Sequence, residues 1–124
     1  MNIGFSGSAG EKYACKMLTK KGYKILSRNF QTRFGEIDIV CRDNDYIVFV
    51  EVKTRSQQYA GSGREAVNYT KQVKIIKAAV QYLQQNPIEL QPRFDVVEIT
   101  QAGSAFSAEH IVNAFDAGGR YEFV

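Results

Sequence analysis

Asp38, Glu51 and Lys53 are the residues whose types and spacing point to chemistry. Glu36-Ile37-Asp38-Ile39-Val40 alternates polar with apolar, the period of a strand. Tyr46 to Thr54, rich in β-branched and aromatic residues, reads as the strongest strand, with the turn cluster Asp43-Asn44-Asp45 before it. A hairpin closed by Asn44-Asp45, or by the longer loop Asp43 to Tyr46, sets Asp38 opposite Glu51 and Glu36 opposite Lys53. All four side chains then share one sheet face. A loop of odd length breaks that register. Opposed carboxylates sit about 5 Å apart at Cβ and repel. Lys53 relieves part of that repulsion. A hard divalent cation relieves more, since carboxylate oxygens are its preferred ligands, and a strand carbonyl such as that of Val52 adds another oxygen. A cation so held acidifies and orients a bound water and offsets charge growing on phosphoryl oxygens. A lysine one alternation from the glutamate can position that water or neutralise the phosphate. Phosphodiester hydrolysis is the chemistry that needs all three groups together.

The surrounding elements must hold that strand pair. Ser8 with Glu11 has capping-box spacing, and residues 9–21 read as a helix with Ala14, Met17 and Leu18 on its apolar side and Gly22 at its end. Tyr23 to Phe30 reads as a strand. After a polar loop from Gln57 to Gly63, residues 64–85 read as a long helix with Val73, Ile76, Val80 and Leu83 as the buried stripe, ended by Asn86-Pro87. Phe94 to Thr100 is a strand, and residues 106–113 a last short one. A helix between the third and fourth strands permits a crossover and a parallel pair there. The expected class is α/β, a mixed sheet with helices packed on it.

A chain of 124 residues, 44% hydrophobic and 23% charged, is expected to be one domain, 1–124, with a real core. No apolar run approaches the roughly 18 residues that cross a bilayer, and no secretory signal opens the chain, so no membrane partner is expected. Cys15 and Cys41 form no disulfide framework or CxxC pair, and both read as small buried hydrophobes. These features point to a reducing cytoplasm. The spacing of the early glycines does not match a nucleotide P-loop, so no nucleotide cofactor is expected. The net charge of +3 is unevenly spread. Lys12, Lys16, Lys20, Lys21, Lys24, Arg28 and Arg33 lie in a stretch without acids, and Lys53, Arg55, Arg64, Lys71, Lys74 and Lys77 face only Glu65. The last third of the chain is acidic. A basic side of this kind suits a polyanion such as nucleic acid.

Asp38 followed by Glu51-x-Lys53 resembles the PD-(D/E)xK signature of restriction-endonuclease-like nucleases. A wider set resembles the YraN-like family of that superfamily, related to archaeal Holliday junction resolvases. It comprises Gly10-Glu11, Gly22-Tyr23, Asn29, Gly35-Glu36-Ile37-Asp38, Phe49-Val50-Glu51-Val52-Lys53-Thr54-Arg55, Lys71 and Arg93-Phe94-Asp95, in a likeness running from Gly10 to Phe115. The resemblance implies a restriction-endonuclease-like αβββαβ core and Mg²⁺ or Mn²⁺ as cofactor. It implies Asp38 and Glu51 as metal-binding carboxylates, Lys53 as the motif lysine, and Glu11 as an extra metal ligand. Ile37 stands where the signature has proline, and Gly63 where the family often has proline.

The expected function is therefore a metal-dependent nuclease acting on DNA, branched or damaged DNA included. Arg33, Arg55, Lys71 and Lys74 are candidate phosphate contacts. A homodimer would serve a junction substrate, which needs two symmetric sites. Two other functions are open: a non-catalytic nucleic-acid-binding module with the same fold, and a small protein-binding adaptor. Blander roles also stand beside the functional ones. Glu11 suits a helix N-terminus, and Glu36 with Lys53 suits a cross-strand ion pair. Arg93 with Asp95 reads as a structural salt bridge, His110 as a packed or surface histidine, and Tyr13, Tyr69 and Tyr82 as packing groups.

Overall fold

The computed structural model describes residues 9–56 and 67–117. The elements are α1 (Ala9–Lys20), β1 (Lys24–Thr32), β2 (Gly35–Asp43), β3 (Tyr46–Ser56), α2 (Tyr69–Gln85), β4 (Gln91–Ala102) and β5 (Ala105–Phe115). The strands form one mixed sheet in sequential order. Neighbours are antiparallel except β3 and β4, which run parallel from Tyr46 beside Gln91 to Ser56 beside Gln101. The crossover that a parallel pair requires contains α2. This is the expected α/β architecture, with strands somewhat longer than the sequence pattern marked. The Ser8 cap, the Gln57 to Gly63 loop and residues 64–66 lie outside the described residues.

Each helix covers one face. Ala14 and Leu18 of α1 are buried with Ile39, Cys41, Val48, Val50, Val97 and Ile99. Ile75, Ile76, Ala79 and Tyr82 of α2 are buried with Val40, Ile47, Phe49, Phe94 and Val96. β3 thus sends Val48 and Val50 to one helix and Ile47 and Phe49 to the other, as the strand period dictates. The buried row of α2 differs from the expected one. Ile75, Ile76, Ala78, Ala79 and Tyr82 are buried, whereas Val73 and Val80 are only partly so. The small Ala78 and Ala79 meet the core, and the Tyr82 ring packs edge-on against Phe30 and Phe49, at centroid distances of 5.1 and 5.9 Å. Asn68 starts the helix by accepting the Lys71 N–H at 2.9 Å.

α1 ends where Gly22 turns left-handed, at φ 95°. The N–H of Tyr23 donates to Leu18 O and that of Gly22 to Thr19 O, both at 3.0 Å, which satisfies carbonyls of the last turn. At its other end Gly10 is buried against Thr54 of β3, and a methyl group added there would collide with the Thr54 hydroxyl.

The β2–β3 hairpin has the expected register: Asp43 pairs with Tyr46 across Asn44-Asp45, and the ladder runs back to Ile39 with Val50. There it ends. β2 continues to pair with β1 as far as Gly35 with Thr32, so the outer part of the β1–β2 hairpin leaves β3. The expected backbone pairs Asp38–Glu51 and Glu36–Lys53 both lie past the end of this ladder and are not formed. Glu36 instead pairs with Gln31, whose Nε2 donates to its carboxylate at 2.9 Å.

Candidate active site

The divergence of β2 from β3 opens a cavity of about 450 Å³, lined by residues that include Phe34, Glu36, Asp38, Glu51, Lys71 and Lys74. Asp38 and Glu51 are 8% and 5% exposed. Asp38 Oδ2 accepts the Val52 N–H at 2.8 Å. Burial pushes the Asp38 carboxyl up to about 8, the Glu51 charge adds to this, and the Val52 hydrogen bond works against it; Glu11 and Glu36 contribute further repulsion. Two acids with so little water around them have the character of a proton-sharing or cation-holding pair.

Lys71 from α2 places Nζ 2.7 Å from Glu51 Oε2. Burial alone would lower its pKa. The hydrogen bond and charge of Glu51 and the charge of Asp38 outweigh that and raise it. Lys53 lies in the alternation of Glu51 on β3 but does not line the cavity. The lysine in direct contact with the carboxylate pair is thus Lys71, read from the sequence only as a phosphate contact.

The other candidates are placed differently. Glu11, at the start of α1, accepts Asn29 Nδ2 at 2.9 Å and has Arg28 Nη2 at 3.9 Å. Asn29 has a left-handed backbone, φ 52°, between the paired residues Arg28 and Phe30, opposite the stretch of β2 that holds Asp38. Among the described residues no three His, Cys, Asp or Glu side chains gather into a metal cage, so Glu11 does not join Asp38 and Glu51 in a preformed set. Arg55 lies with Nε 3.2 Å from Glu98 Oε2, an ion-pair contact without hydrogen-bond alignment. Arg33 is exposed, its guanidinium 4.9 Å from the centre of the Phe34 ring. Lys74 is exposed on the cavity wall.

Sequence reasoning missed Phe34 and Glu98. Glu98 is 4% exposed on β4, beside Lys53 in the parallel register. Its signal was a lone acid in the apolar run Val96-Val97-Glu98-Ile99. Phe34, alone in a turn, carried none.

The opposite sheet face holds a buried polar network. Arg93 Nη2 donates to Asp95 Oδ2 and its Nε to Asp95 Oδ1, Nη1 donates to Asp43 Oδ2, and Nη2 also reaches Tyr23 OH, all within 3.0 Å. The Lys21 ammonium can only donate, so its 2.7 Å contact makes His110 Nδ1 an acceptor. Nε2 then carries the proton and donates to Asp95 Oδ2 at 2.7 Å. Burial disfavours the Asp95 charge, yet hydrogen bonds from His110, Arg93 and the Asn113 N–H outweigh it and lower the pKa. The structural reading of Arg93, Asp95 and His110 matches this network. Both cysteines are free. Cys41 is fully buried, its thiol pushed up to about 12 by burial and the nearby Asp95 charge; Cys15 is half-buried. Tyr82 packs in the core and Tyr13 against Phe106, whereas Tyr69 is 60% exposed. No helix of the described residues is long and apolar enough to cross a membrane.

Comparison with known proteins places this framework in a family. Residues 10–99 match the model of the uncharacterised protein family UPF0102. A UPF0102 protein of Geobacter metallireducens is 50% identical over 111 residues, covering 89% of this chain and 91% of the relative. One from Caldanaerobacter subterraneus subsp. tengcongensis is 47% identical over 113 residues, covering 88% and 93%. One from Carboxydothermus hydrogenoformans is 43% identical over 117 residues, covering 94% and 99%. The match spans β1 to β4 and both helices, the elements that build the cavity, and the chain belongs to the UPF0102 family.

Proposed function

We propose that this protein is a Mg²⁺- or Mn²⁺-dependent nuclease of the restriction-endonuclease-like type, hydrolysing phosphodiester bonds in DNA. The observation that carries the reading is the buried Asp38–Glu51 pair in an open-mouthed cavity, with Asp38 pushed up to about 8. Buried carboxylates side by side are destabilising unless a proton or a cation sits between them. Their donor set, all carboxylate oxygen, fits a hard divalent ion. Such an ion, when bound, supplies an acidified water and charge neutralisation at the phosphoryl group.

The chain's own groups do the rest. Asp38 is fixed by the Val52 N–H and Glu51 by the Lys71 ammonium, so both point into the cavity without a search over rotamers. Lys71 holds a positive charge on the cavity wall, where a scissile phosphate would enter. Lys74 on the wall gives the phosphate backbone an outer contact. Glu11 acts from a distance through its charge at Asp38.

A second reading keeps the fold and drops the reaction. It is favoured by the Lys71–Glu51 contact, which neutralises one carboxylate without a metal, and by the lack of a three-acid cage among the described residues. Under it the protein binds DNA through its cations alone.

A cleavage assay separates the two. Wild type and Asp38→Asn are incubated with single-stranded, duplex, flap and four-way-junction DNA in Mg²⁺, Mn²⁺ or EDTA. Metal-dependent cutting that the variant loses supports the nuclease. Salt-sensitive binding by both proteins with no cutting on any substrate establishes the binding module. Paired symmetric cuts in the junction would add a homodimer to the account.

A further inference from the structure

Two more hollows, of about 490 and 500 Å³, lie along α2 and share lining residues with the cavity at Asp38 and Glu51. Phe34 lines all three, Lys74 the first two, and Arg33 and Lys77 the outer two. α2 carries Lys71, Lys74 and Lys77 and no acid, and among the described residues no Asp or Glu lines either outer hollow. The Phe34 ring has the Arg33 guanidinium 4.9 Å and the Lys77 ammonium 5.5 Å from its centre. Tyr69 is exposed on the same groove, and the partly buried Val73 and Val80 each line one of the outer hollows.

We propose that this groove is a track for single-stranded DNA, with Phe34 as the stacking platform, that leads an unpaired strand to the Asp38–Glu51 pair. The destination rests on the nuclease reading; the track itself does not. A row of cations without acids matches a phosphate backbone. Aromatic faces beside that row match bases whose own faces are free, since every base has a π-face to stack. In duplex DNA those faces are already stacked on each other, so Phe34, Tyr69, Val73 and Val80 would have nothing to hold. The hollows are also of small-ligand size, within the roughly 300–1,000 Å³ that enclose a single compact group. A strand threaded one unit at a time fits them, and a double helix spans them without entering.

The test is fluorescence anisotropy in EDTA, where no metal-dependent cutting occurs. A labelled oligothymidylate is compared with a hairpin duplex of equal length. Wild type binds the single strand at least tenfold more tightly. Phe34→Ala weakens that binding about tenfold, as loss of one stacked base does, while Phe34→Tyr retains it and so separates stacking from misfolding. Lys74→Gln with Lys77→Gln lowers the slope of log affinity against log salt by about 1.4, at roughly 0.7 for each phosphate contact on a single strand. Duplex binding as tight as single-strand binding, or no loss in Phe34→Ala, overturns the track. The nuclease reading fails separately. Tight, Phe34-dependent single-strand binding with no cutting in Mg²⁺ or Mn²⁺ supports the track and removes the nuclease. Cutting of single strands that Phe34→Ala leaves unaltered keeps the nuclease and removes the track.

Discussion

The Asp38 carboxylate takes the Val52 N–H at 2.8 Å just past the last backbone pair of the β2–β3 ladder, Ile39 with Val50. A side chain there does what a main-chain carbonyl does further down the strand. It lets β2 depart without leaving an unsatisfied donor on β3.

That position has a pH signature. With its pKa raised from 3.8 to about 8, Asp38 keeps its proton in the folded chain where the unfolded chain has lost it. Stability in the absence of metal therefore falls as pH rises through that window. Asp38→Asn has no proton to lose and can still accept from Val52. It should be more stable than wild type at pH 8, by on the order of 1–3 kcal/mol, and the gap should close near pH 4. Urea unfolding across this range checks it; parallel pH profiles for the two proteins would refute the buried-acid account. At pH 8, Mn²⁺ should raise the wild-type melting temperature and leave that of the variant unchanged.

Lys71 and a metal ion compete for the same oxygen of Glu51. Lys71→Met should cost on the order of 2–3 kcal/mol of stability, because the ammonium is itself 42% exposed but its loss leaves the Glu51 carboxylate buried without its cation. It should tighten Mn²⁺ binding, measured by calorimetry, while lowering cleavage about 100-fold through loss of the charge beside the phosphate. Weaker metal binding in this variant would show that Lys71 does not compete with the ion for Glu51.

The Arg93 network should behave in the opposite sense with pH. Asp95 has a lowered pKa, so its contribution is present above 3.8 and is lost as pH falls through the lower folded value. Asp95→Asn leaves the buried Arg93 with Asp43 as its remaining carboxylate partner and should cost about 3 kcal/mol at pH 7. The difference from wild type should shrink in acid. A denaturation midpoint within experimental error of wild type at pH 7 would contradict this.

Gly10→Ala should destabilise by about 1–3 kcal/mol, since its methyl group meets the Thr54 hydroxyl. Thr54→Ala in the same chain should restore much of that loss. Additive losses in the double variant, measured by thermal unfolding, would show that the contact is not the cause.

Local rules wrote much of this fold. Asn44-Asp45 set the hairpin register, Gly22 ended α1, and the β-branched run from Tyr46 marked a central strand. That register brings Asp38 and Glu51 to the end of the ladder, one position past its last pair, Ile39 with Val50. The end of the ladder could not be read, because whether Val52 bonds a carbonyl or the Asp38 side chain depends on the path of the whole β1–β2 hairpin. Lys71 escaped for a related reason: its reach to Glu51 depends on how α2 sits on the sheet. That seating also left Val73 and Val80 only partly buried, which a helical period with several apolar rows does not decide. Phe34 lies in a turn where no periodicity operates, and the positive φ of Asn29 inside a strand is invisible to a pattern of alternation.

The β1–β2 hairpin is held by β3 along its base, from Asp43 to Ile39, and by no β3 backbone pair beyond. Mechanically it is a cantilever. Its fixed half transmits load into the centre of the sheet, and its free half ends at the turn bearing Arg33 and Phe34. Phe30 and Ile37 of that half pack with Tyr82 in the α2 cluster, so side-chain packing on α2, and not backbone pairing to β3, sets the width of the cleft.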